Sequence, residues 1–278
     1  MSSEYRKFKR KFLKNPLNII CSLIFIFFLL VAFFPSFFAP YNPLTMDPDS
    51  FMSPPSSQHW FGTDQFGRDI LSRIIYGVQG SLFIASMAIV FASIAGTIIG
   101  SVSGYFGGAV DNIIMRFIDA MFAFPSIILA LFIIALFGAT IRNLIIAIGI
   151  IYIPIFSRTI RGSAISIKQN LYIVSARSIG KKSSKIILTD IIPNISSIFI
   201  VSFTTNFSTA ILSEASLGFL GLGVPPPYPT LGRMVGDGNN FLLSAPWITL
   251  FPGLIIAVIV LSINIVGDGL RDTLDPKN

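Results

Sequence analysis

The sequence predicts an all-α membrane protein that crosses the bilayer several times. Of its 278 residues, 53% are hydrophobic and only 12% are charged, whereas a soluble domain carries roughly 25% charged residues. So few charges do not cover a water-facing surface. Six apolar runs provide the transmembrane helices, each of which needs about 20 residues to cross the hydrocarbon layer. We place the six spans at residues 17–38, 81–105, 113–137, 144–157, 195–217 and 247–266.

The positive charges predict how these spans are oriented. Sixteen of the twenty Lys and Arg residues fall on one side of the predicted bilayer and four on the other. The side richer in Lys and Arg is normally the cytoplasm, so both termini are expected there. This bias explains the net charge of +7 without nucleic-acid binding. The first span is longer than the apolar core of a cleaved signal peptide, and we expect it to remain as an anchor.

The composition along the chain predicts four parts. A Pro- and Ser-rich stretch with four Asp follows the first span. Apolar residues at helical spacing near its end predict an amphipathic helix at the membrane interface. The parts are a basic cytoplasmic tail with the first span (1–38), an extracytoplasmic segment with an interfacial helix at 70–78 (39–80), a core of five helices with a cytoplasmic loop at 158–194 (81–268), and a cytoplasmic tail (269–278).

Glycine and proline positions predict local features of the spans. Gly96, Gly100 and Gly104 recur every four residues in the second span, and this small-residue spacing lets two helix backbones approach closely. Pro125 predicts a kink in the third span. The stretch 62–69, with two Gly and two Asp, predicts a tight turn outside the membrane.

Polar side chains inside two spans have two interpretations each. Arg116 and Asp119 lie three residues apart on one face of the third span, where they form either a structural ion pair or part of a path or gate, because unpaired charges are costly there. The fifth span carries polar residues through its centre, which either line a translocation path or bond to other helices. These candidate path residues are Thr204, Thr205, Asn206 and Ser208, together with Asp119.

The basic loop 158–194 contains a predicted short helix. Residues 169–179 lack Pro and Gly, and Gly180 follows them as a helix stop. A charged helix held between two spans suits docking to a soluble partner. The stretch Tyr172-Ile-Val-Ser-Ala-Arg-Ser-Ile-Gly180, with Pro193 thirteen residues later, resembles the E-A-A-x-x-x-G loop of inner-membrane permeases of binding-protein-dependent ABC importers. Val174 replaces the usual Glu and Ser175 the first Ala, whereas Ala176, Gly180 and Pro193 match the motif.

Five stretches together resemble one subgroup, the C-type permease subunit of dipeptide and oligopeptide ABC importers. They cover nearly the whole chain in the expected order. They are Asn15-Pro16-Leu17, Gly62-Thr63-Asp64 with Gly67-Arg68-Asp69, the loop just described, Ser213-Glu-Ala-Ser-Leu-Gly-Phe-Leu-Gly-Leu-Gly223, and Gly267-Asp-Gly-Leu-Arg-Asp272.

The resemblance implies a type-1 ABC importer permease fold in the bacterial cytoplasmic (inner) membrane. The chain would form half of the translocation path for di- and oligopeptides, without enzymatic activity of its own. Implied partners are a paralogous permease subunit, two ATP-binding-cassette ATPase subunits, an extracytoplasmic substrate-binding protein and membrane lipid. No cofactor is expected on this chain, because ATP and Mg²⁺ belong to the ATPase subunits. Nickel or other small-solute importers are built similarly, so the substrate class stays open.

The short helix of the loop is expected to couple this chain to an ATPase subunit. Apolar positions 171, 173, 174 and 179 would enter a groove, while Arg177, Lys181 and Lys182 would reach acids at its rim. The residues assigned to this coupling surface are Leu171, Tyr172, Val174, Ser175, Ala176, Arg177, Gly180 and Lys181.

Other function classes have less support from the residues. A membrane-embedded enzyme would have to use Asp119, Glu214 or Asp268 for acid–base chemistry. A redox subunit would normally require His or Cys clusters inside the membrane, and the chain has one of each. The stretch 175–183 departs from a phosphate-binding loop, because Ser175 replaces the first Gly and an extra Lys precedes Ser183.

Overall fold

A computed structural model describes residue 12 and residues 15–274 of the chain. The basic tail and the last four residues, on which part of the charge argument rests, lie outside the described residues. Eleven α-helices form most of the described part. They are α1 (Pro16–Phe33), α2 (Pro35–Phe38), α3 (Ile70–Phe106), α4 (Gly108–Phe122), α5 (Ser126–Phe137), α6 (Ile141–Lys168), α7 (Leu171–Ser178), α8 (Ser183–Ile186), α9 (Ser196–Phe219), α10 (Leu231–Gly238) and α11 (Trp247–Leu274).

Short 3₁₀ and π turns complete this order. A π turn, Ile187–Ile191, and a 3₁₀ turn, Ile192–Ile195, join α8 to α9, so that Ser183–Phe219 acts as one apolar unit. Further 3₁₀ turns occur at Pro48–Ser50 and Asn239–Phe241. We call the side of the bundle that carries α7 the α7 end, and the opposite side, which carries α10, the α10 end.

The helices agree with the predicted six spans, with one of them broken. Five units of the described part are long and apolar enough to cross a membrane, namely α1, α3, α6, α8–α9 and α11, and the number is six when the bent pair α4–α5 is counted as one span. Pro125 was expected to kink this span, but the two helices meet at 86° and the chain is non-helical between them. Proline removes a helix hydrogen bond and clashes with the preceding turn, so it begins α5 instead of bending one helix.

The expected boundary between an interfacial helix at 70–78 and a span from 81 is wrong. Both belong to α3, a continuous helix of 37 residues, which is about 56 Å long at 1.5 Å per residue and exceeds a bilayer of about 40–45 Å. Gly77 and Gly80 do not interrupt it. They are close-packing points, since a Cβ on Gly77 would lie 3.3 Å from Leu231 and one on Gly80 3.1 Å from the Pro229 carbonyl.

Two further helices are longer than predicted. The fourth span was expected to end at Ser157, but α6 continues to Lys168, because Ile160 and Ala164 remain fully buried beyond that point. The loop expected at 158–194 is correspondingly shorter. The sixth span was expected to end near residue 266, yet α11 continues through the predicted tail to Leu274.

Close packing of α3 on α6 forms the centre of the bundle, as the glycine spacing predicts. A Cβ on Gly96, Gly100 or Gly104 would lie 2.4, 2.5 and 2.8 Å from atoms of α6, which is closer than van der Waals contact allows. Seven of the twelve largest fully buried side chains among the described residues lie on these two helices, and they include Ile70, Ile84, Ile89, Leu144, Ile148 and Phe156.

The two terminal motifs meet at the α7 end of the bundle. Asn15 caps α1 by accepting a hydrogen bond from the Leu17 N–H. One turn later the buried Asn18 side chain lies against Gly269 of α11, where a Cβ would approach it to 2.5 Å. Gly267 similarly faces Thr204 of α9 at 3.3 Å. The glycines of this motif therefore permit close helix contact, and this contact explains why α11 continues past them.

Candidate functional site

The short helix α7 is fixed to the bundle by one apolar face. Ile173 is fully buried, and Ala176 packs beside it in a cluster that contains Tyr105 from α3, Ala164 from α6, and Ile186, Ile187 and Ile191 from the segment leading into α9. The helix begins two residues later than predicted, because α6 runs to Lys168. The buried face of α7 is thus packed against α3, α6 and the entrance to α9.

The opposite face of α7 is apolar and uncovered. Leu171 and Ile179 are each 83% exposed, and Val174 and Tyr172 are about half exposed, at 48% and 46%. Ile173 had been expected to share this face, but it points into the cluster beneath. Ser175 and Arg177 are also exposed.

Two residues of the predicted coupling surface, Lys181 and Gly180, lie in the turn that follows α7. Lys181 Nζ lies 2.6 Å from Asp190 Oδ2 and 2.9 Å from Thr189 Oγ1, so it ties this turn to the segment that leads into α9. Gly180 has φ of +78°, and a Cβ there would meet nothing within 4 Å. The left-handed backbone, not a lack of space, therefore favours glycine at this turn.

The polar residues of α9 do not form one surface. Ser208 is fully buried and its Oγ lies 2.5 Å from Asn264 Oδ1 of α11, which is an interhelical bond. Thr204 and Thr205 donate to carbonyl groups one turn earlier in their own helix, and Asn206 Nδ2 donates to the Ser202 carbonyl at 2.7 Å. Such bonds satisfy the side chains even where they are exposed. Their polarity alone consequently does not place them in a path.

Asp119 pairs with a different arginine from the one expected. Arg158 Nη2 of α6 lies 2.5 Å from Asp119 Oδ1, and the Arg158 guanidinium stacks 3.9 Å from the Phe122 ring centroid. Arg116 makes no side-chain hydrogen bond or ion pair with the residues that the structure describes. No such bond joins Asp119 to the polar residues of α9 within the described residues either, so the predicted path residues form two separate groups.

A second ion pair holds α4 against α6 nearer the α7 end. Arg161 Nε and Nη2 donate to the two Asp111 oxygens at 2.6 and 2.5 Å, and the Ser103 hydroxyl donates to the same carboxylate. Bidentate Arg–carboxylate pairs fix geometry as well as charge. Asp111 is buried, whereas the Asp119 side chain is 59% exposed.

The α10 end contains a buried charge cluster, which lies in the stretch that the sequence predicted as a tight turn. Asp64 accepts from Arg68 Nε at 2.7 Å and lies 3.3 Å from Arg73 Nε, and all three residues are almost completely buried. Asp69 caps α3 through the Ser72 N–H and also bonds His59 Nδ1 at 2.9 Å. The sequence did contain a signal for this ion pair, because the oppositely charged Asp64 and Arg68 are only four residues apart.

This cluster is enclosed by backbone contacts with the rest of the outer segment. A Cβ on Gly67, which has φ of +71°, would lie 1.8 Å from the Asp47 carbonyl. The pKa of the Asp47 carboxyl lies below its ordinary value, because the Ser50 hydroxyl and the Asp49 N–H donate to it. Trp247 Nε1 donates to the Thr63 carbonyl at 3.2 Å. The turn thus joins the start of α3 to the start of α11.

Glu214 is enclosed in the same half of the molecule. Its side chain is fully buried, and the hydroxyls of Ser81 and Thr230 lie beside it without reaching hydrogen-bond geometry. The carboxyl has no exposed surface in this arrangement, so the geometry gives no support to acid–base chemistry at Glu214. Nearby, a Cβ on Gly232 of α10 would lie 2.3 Å from the Ala215 backbone, which shows that α10 lies directly on α9.

Comparison with known proteins identifies two families along the chain. Residues 96–278 match the family described as binding-protein-dependent transport system inner membrane component. Residues 3–55 match the N-terminal transmembrane domain of oligopeptide transport permease C.

Curated relatives span nearly the whole chain. The dipeptide transport system permease protein DppC of Alkalihalophilus pseudofirmus is 44% identical over 99% of this chain and 90% of its own length. The glutathione transport system permease protein GsiD of Escherichia coli O6:K15:H31 is 42% identical over 98% of this chain and 90% of its own length.

Solved structures with this fold include two inward-facing crystal forms of the MetNI methionine ABC transporter. One has a TM-score of 0.62 at 15% identity and covers 74% of this chain and 98% of the matched chain. The other has a TM-score of 0.60 at 17% identity over 73% of this chain. At such identity the likeness concerns the fold, which is that of an ABC importer permease. Together with the family matches, it shows that this chain is a multi-pass membrane protein of the binding-protein-dependent transport system inner membrane component family.

Proposed function

We propose that this chain is the membrane permease subunit of an ATP-driven, binding-protein-dependent importer, and that it forms half of a translocation path for di- and oligopeptides. The relatives named above transport a dipeptide and glutathione, which is a tripeptide, and their similarity extends over nearly the full chain. Peptides are accordingly the substrate class with the most support, and nickel or another small solute is the alternative.

The proposed assembly contains four other subunits. A paralogous permease completes the path, two ATP-binding-cassette ATPases hydrolyse ATP with Mg²⁺, and an extracytoplasmic binding protein delivers the peptide. This chain itself carries no cofactor and catalyses no reaction. Both termini and α7 face the cytoplasm, in keeping with the excess of Lys and Arg at the α7 end.

The exposed apolar face of α7 is the observation that carries the proposal. Complete burial of a Leu or Ile side chain contributes about 1.5–3 kcal/mol, so Leu171 and Ile179 alone give an ATPase groove substantial docking energy. Arg177 and Lys182 border this face without intrachain ion pairs among the described residues and supply charges for acids at a groove rim. The buried side of α7 then passes the motion to α3, α6 and α9.

Aspartate substitutions test docking directly. Leu171→Asp and Ile179→Asp change side chains that are 83% exposed, so the chain should fold and insert normally. Each should reduce copurification of the ATPase subunits at least about tenfold, because a charge replaces a buried apolar contact. Leu243→Asp is the matched control, since Leu243 is fully exposed at the α10 end. Equal ATPase copurification in all three variants would refute the docking assignment.

Uptake into proteoliposomes tests the substrate class. The reconstituted complex with its binding protein should import a radiolabelled dipeptide in the presence of ATP and should not import ⁶³Ni²⁺. Nickel uptake without peptide uptake would establish the alternative.

A further inference from the structure

We propose that α10 is a hinged flap whose movement away from α9 is part of the transport cycle, and that the buried carboxyl of Glu214 destabilises its closed position. This inference rests on the proposed importer and adds a moving part to it. The flap closes on residues 213–223, one of the five stretches by which the sequence resembles a permease subunit, and none of the roles described above uses that stretch.

Residues 213–223 form a closely fitted seat for α10. A Cβ on Gly232 of α10 would lie 2.3 Å from the Ala215 backbone, and one on Gly218 of α9 would lie 2.8 Å from the Arg233 nitrogen. Both distances are shorter than a side chain permits, so the glycines let the two backbones touch. Such a packed contact has discrete arrangements and does not deform continuously, so leaving the seat is a distinct step.

The carboxyl of Glu214 is enclosed in this seat without a partner. Its side chain is fully buried, and neither carboxyl oxygen has a hydrogen-bond partner among the described residues. The hydroxyls beside it hold the first turn of α10. Ser81 Oγ accepts from the Leu231 N–H at 3.1 Å, and Thr230 Oγ1 accepts from the Arg233 N–H at 3.4 Å. These hydroxyls are therefore fixed by α10 itself, and they are freed when α10 moves.

The closed position carries an energetic cost in either protonation state of Glu214. As a carboxylate, the group is a buried charge without an ion pair to any described residue, and the nearby Arg233 guanidinium instead bonds the Val224 carbonyl at 3.3 Å. As a neutral acid, it is a buried polar group with unmade hydrogen bonds. Both forms are costly to bury. Both regain hydrogen bonds when α10 leaves the seat and water or the freed hydroxyls reach the carboxyl.

The chain on either side of α10 allows this movement. Residues 220–230 and 239–246, which join α10 to α9 and α11, contain no α-helix. Gly221 lies at the start of the first connection with φ of +79°, and a Cβ there would meet nothing within 4 Å. A groove of about 420 Å³ between α9, α10 and α11, bordered by Val235 and Ile256, leaves room beside α10. The flap can turn about its two connections while α9 and α11 stay helical.

Cysteine labelling of the whole complex tests the movement. Met234 of α10 is buried, with 4% of its surface exposed, so Met234→Cys reacts with a maleimide only when α10 leaves its seat. The native Cys21 in α1, 7% exposed, is the internal reference for unfolding of the bundle, and mass spectrometry of the two peptides separates their rates. We expect position 234 to react at least about tenfold faster than Cys21, because opening a flap costs less than unfolding the chain.

Glu214→Met removes the carboxyl and keeps a side chain of similar length. It should slow labelling at position 234 about tenfold, because the closed position no longer buries an unsatisfied polar group. It should also raise the temperature at which Cys21 becomes reactive and lower dipeptide uptake into proteoliposomes. A residue that only supports the fold would lose stability and uptake together. Leu217→Met is the matched control, since it places the same side chain at an apolar position of α9 that is 1% exposed, and it should leave the labelling rate unchanged.

Four results would overturn the proposal. They are equal labelling rates at position 234 and Cys21, unchanged or faster labelling at position 234 in Glu214→Met, a loss of thermal stability in that variant, and dipeptide uptake by it at the native rate. The labelling requires no transport. A complex with the native Glu214 that imports no dipeptide would therefore contradict the proposed function, and the labelling rates would still decide whether α10 moves.

Discussion

Gly100 is the residue at which the packing of α3 on α6 is most directly tested. An added Cβ would lie 2.5 Å from the Ser157 carbonyl oxygen and 3.0 Å from Ile160 Cβ. Ordinary contact begins at 3.4 Å, so the helices would have to separate locally by 0.9 Å, the difference between 3.4 and 2.5. Overpacking of this kind typically costs about 1–3 kcal/mol. We therefore expect Gly100→Ala to destabilise the bundle.

Gly162→Ala is the control that isolates this packing effect. Gly162 also lies inside a long helix, α6, but an added Cβ would meet nothing within 4 Å. Both substitutions gain the same helix propensity, about 1 kcal/mol, so the difference between them measures the helix contact. At about 2–4 °C per kcal/mol, Gly100→Ala should melt several degrees below Gly162→Ala.

The chain's single cysteine offers a suitable probe for this measurement. Cys21 is buried in α1, with 7% of its surface exposed, and becomes accessible to a fluorogenic maleimide when the bundle unfolds. The purified variants would be heated in detergent with this dye. Equal melting temperatures for Gly100→Ala and Gly162→Ala would refute the argument that α3 and α6 require glycine at their contact.

Three further substitutions test the rest of the structure by the same thermal assay. Asp64→Asn should destabilise the chain by about 3–5 kcal/mol, because it leaves buried Arg68 and Arg73 without their carboxylate, whereas Asp49→Asn, at an exposed position, should change little. Ser208→Ala should cost about 1 kcal/mol by removing the bond to Asn264, and Thr205→Ala should cost less, since its hydroxyl bonds only its own helix. Gly67→Ala should prevent the outer turn from closing on Asp47, and its chain should be degraded or melt far below the native one.

Local composition was sufficient to predict the short helix on which the candidate site is built. The helix in the basic loop and its Gly180 stop were predictable, because helix-compatible composition and a left-handed glycine are properties of a few adjacent residues. Which face of that helix is free was not predictable. Ile173 and Leu171 are both apolar, and only the position of Tyr105 and Ala164 decides that Ile173 is covered.

Ion-pair partners were the least predictable feature. Arg116 is the near neighbour of Asp119 in sequence, yet Arg158 on another helix takes the carboxylate. Spacing along one helix identifies residues that share a face, but not the charges that a second helix brings to it. The burial of the cluster at Asp64 was missed for a related reason, since its second arginine, Arg73, belongs to α3 and meets Asp64 only when the turn folds onto that helix.

The sequence by itself determined the all-α class, six apolar spans, the glycine contact and the family resemblance, because hydrophobicity, helical period and short motifs are local properties. Tertiary structure alone decided where the helices end, which apolar side of α7 is exposed, and which arginine pairs with Asp119. Burial extends α6 and α11 beyond their apolar runs, and ion pairing depends on distances between residues far apart in the chain. Such distances exist only once the helices have packed.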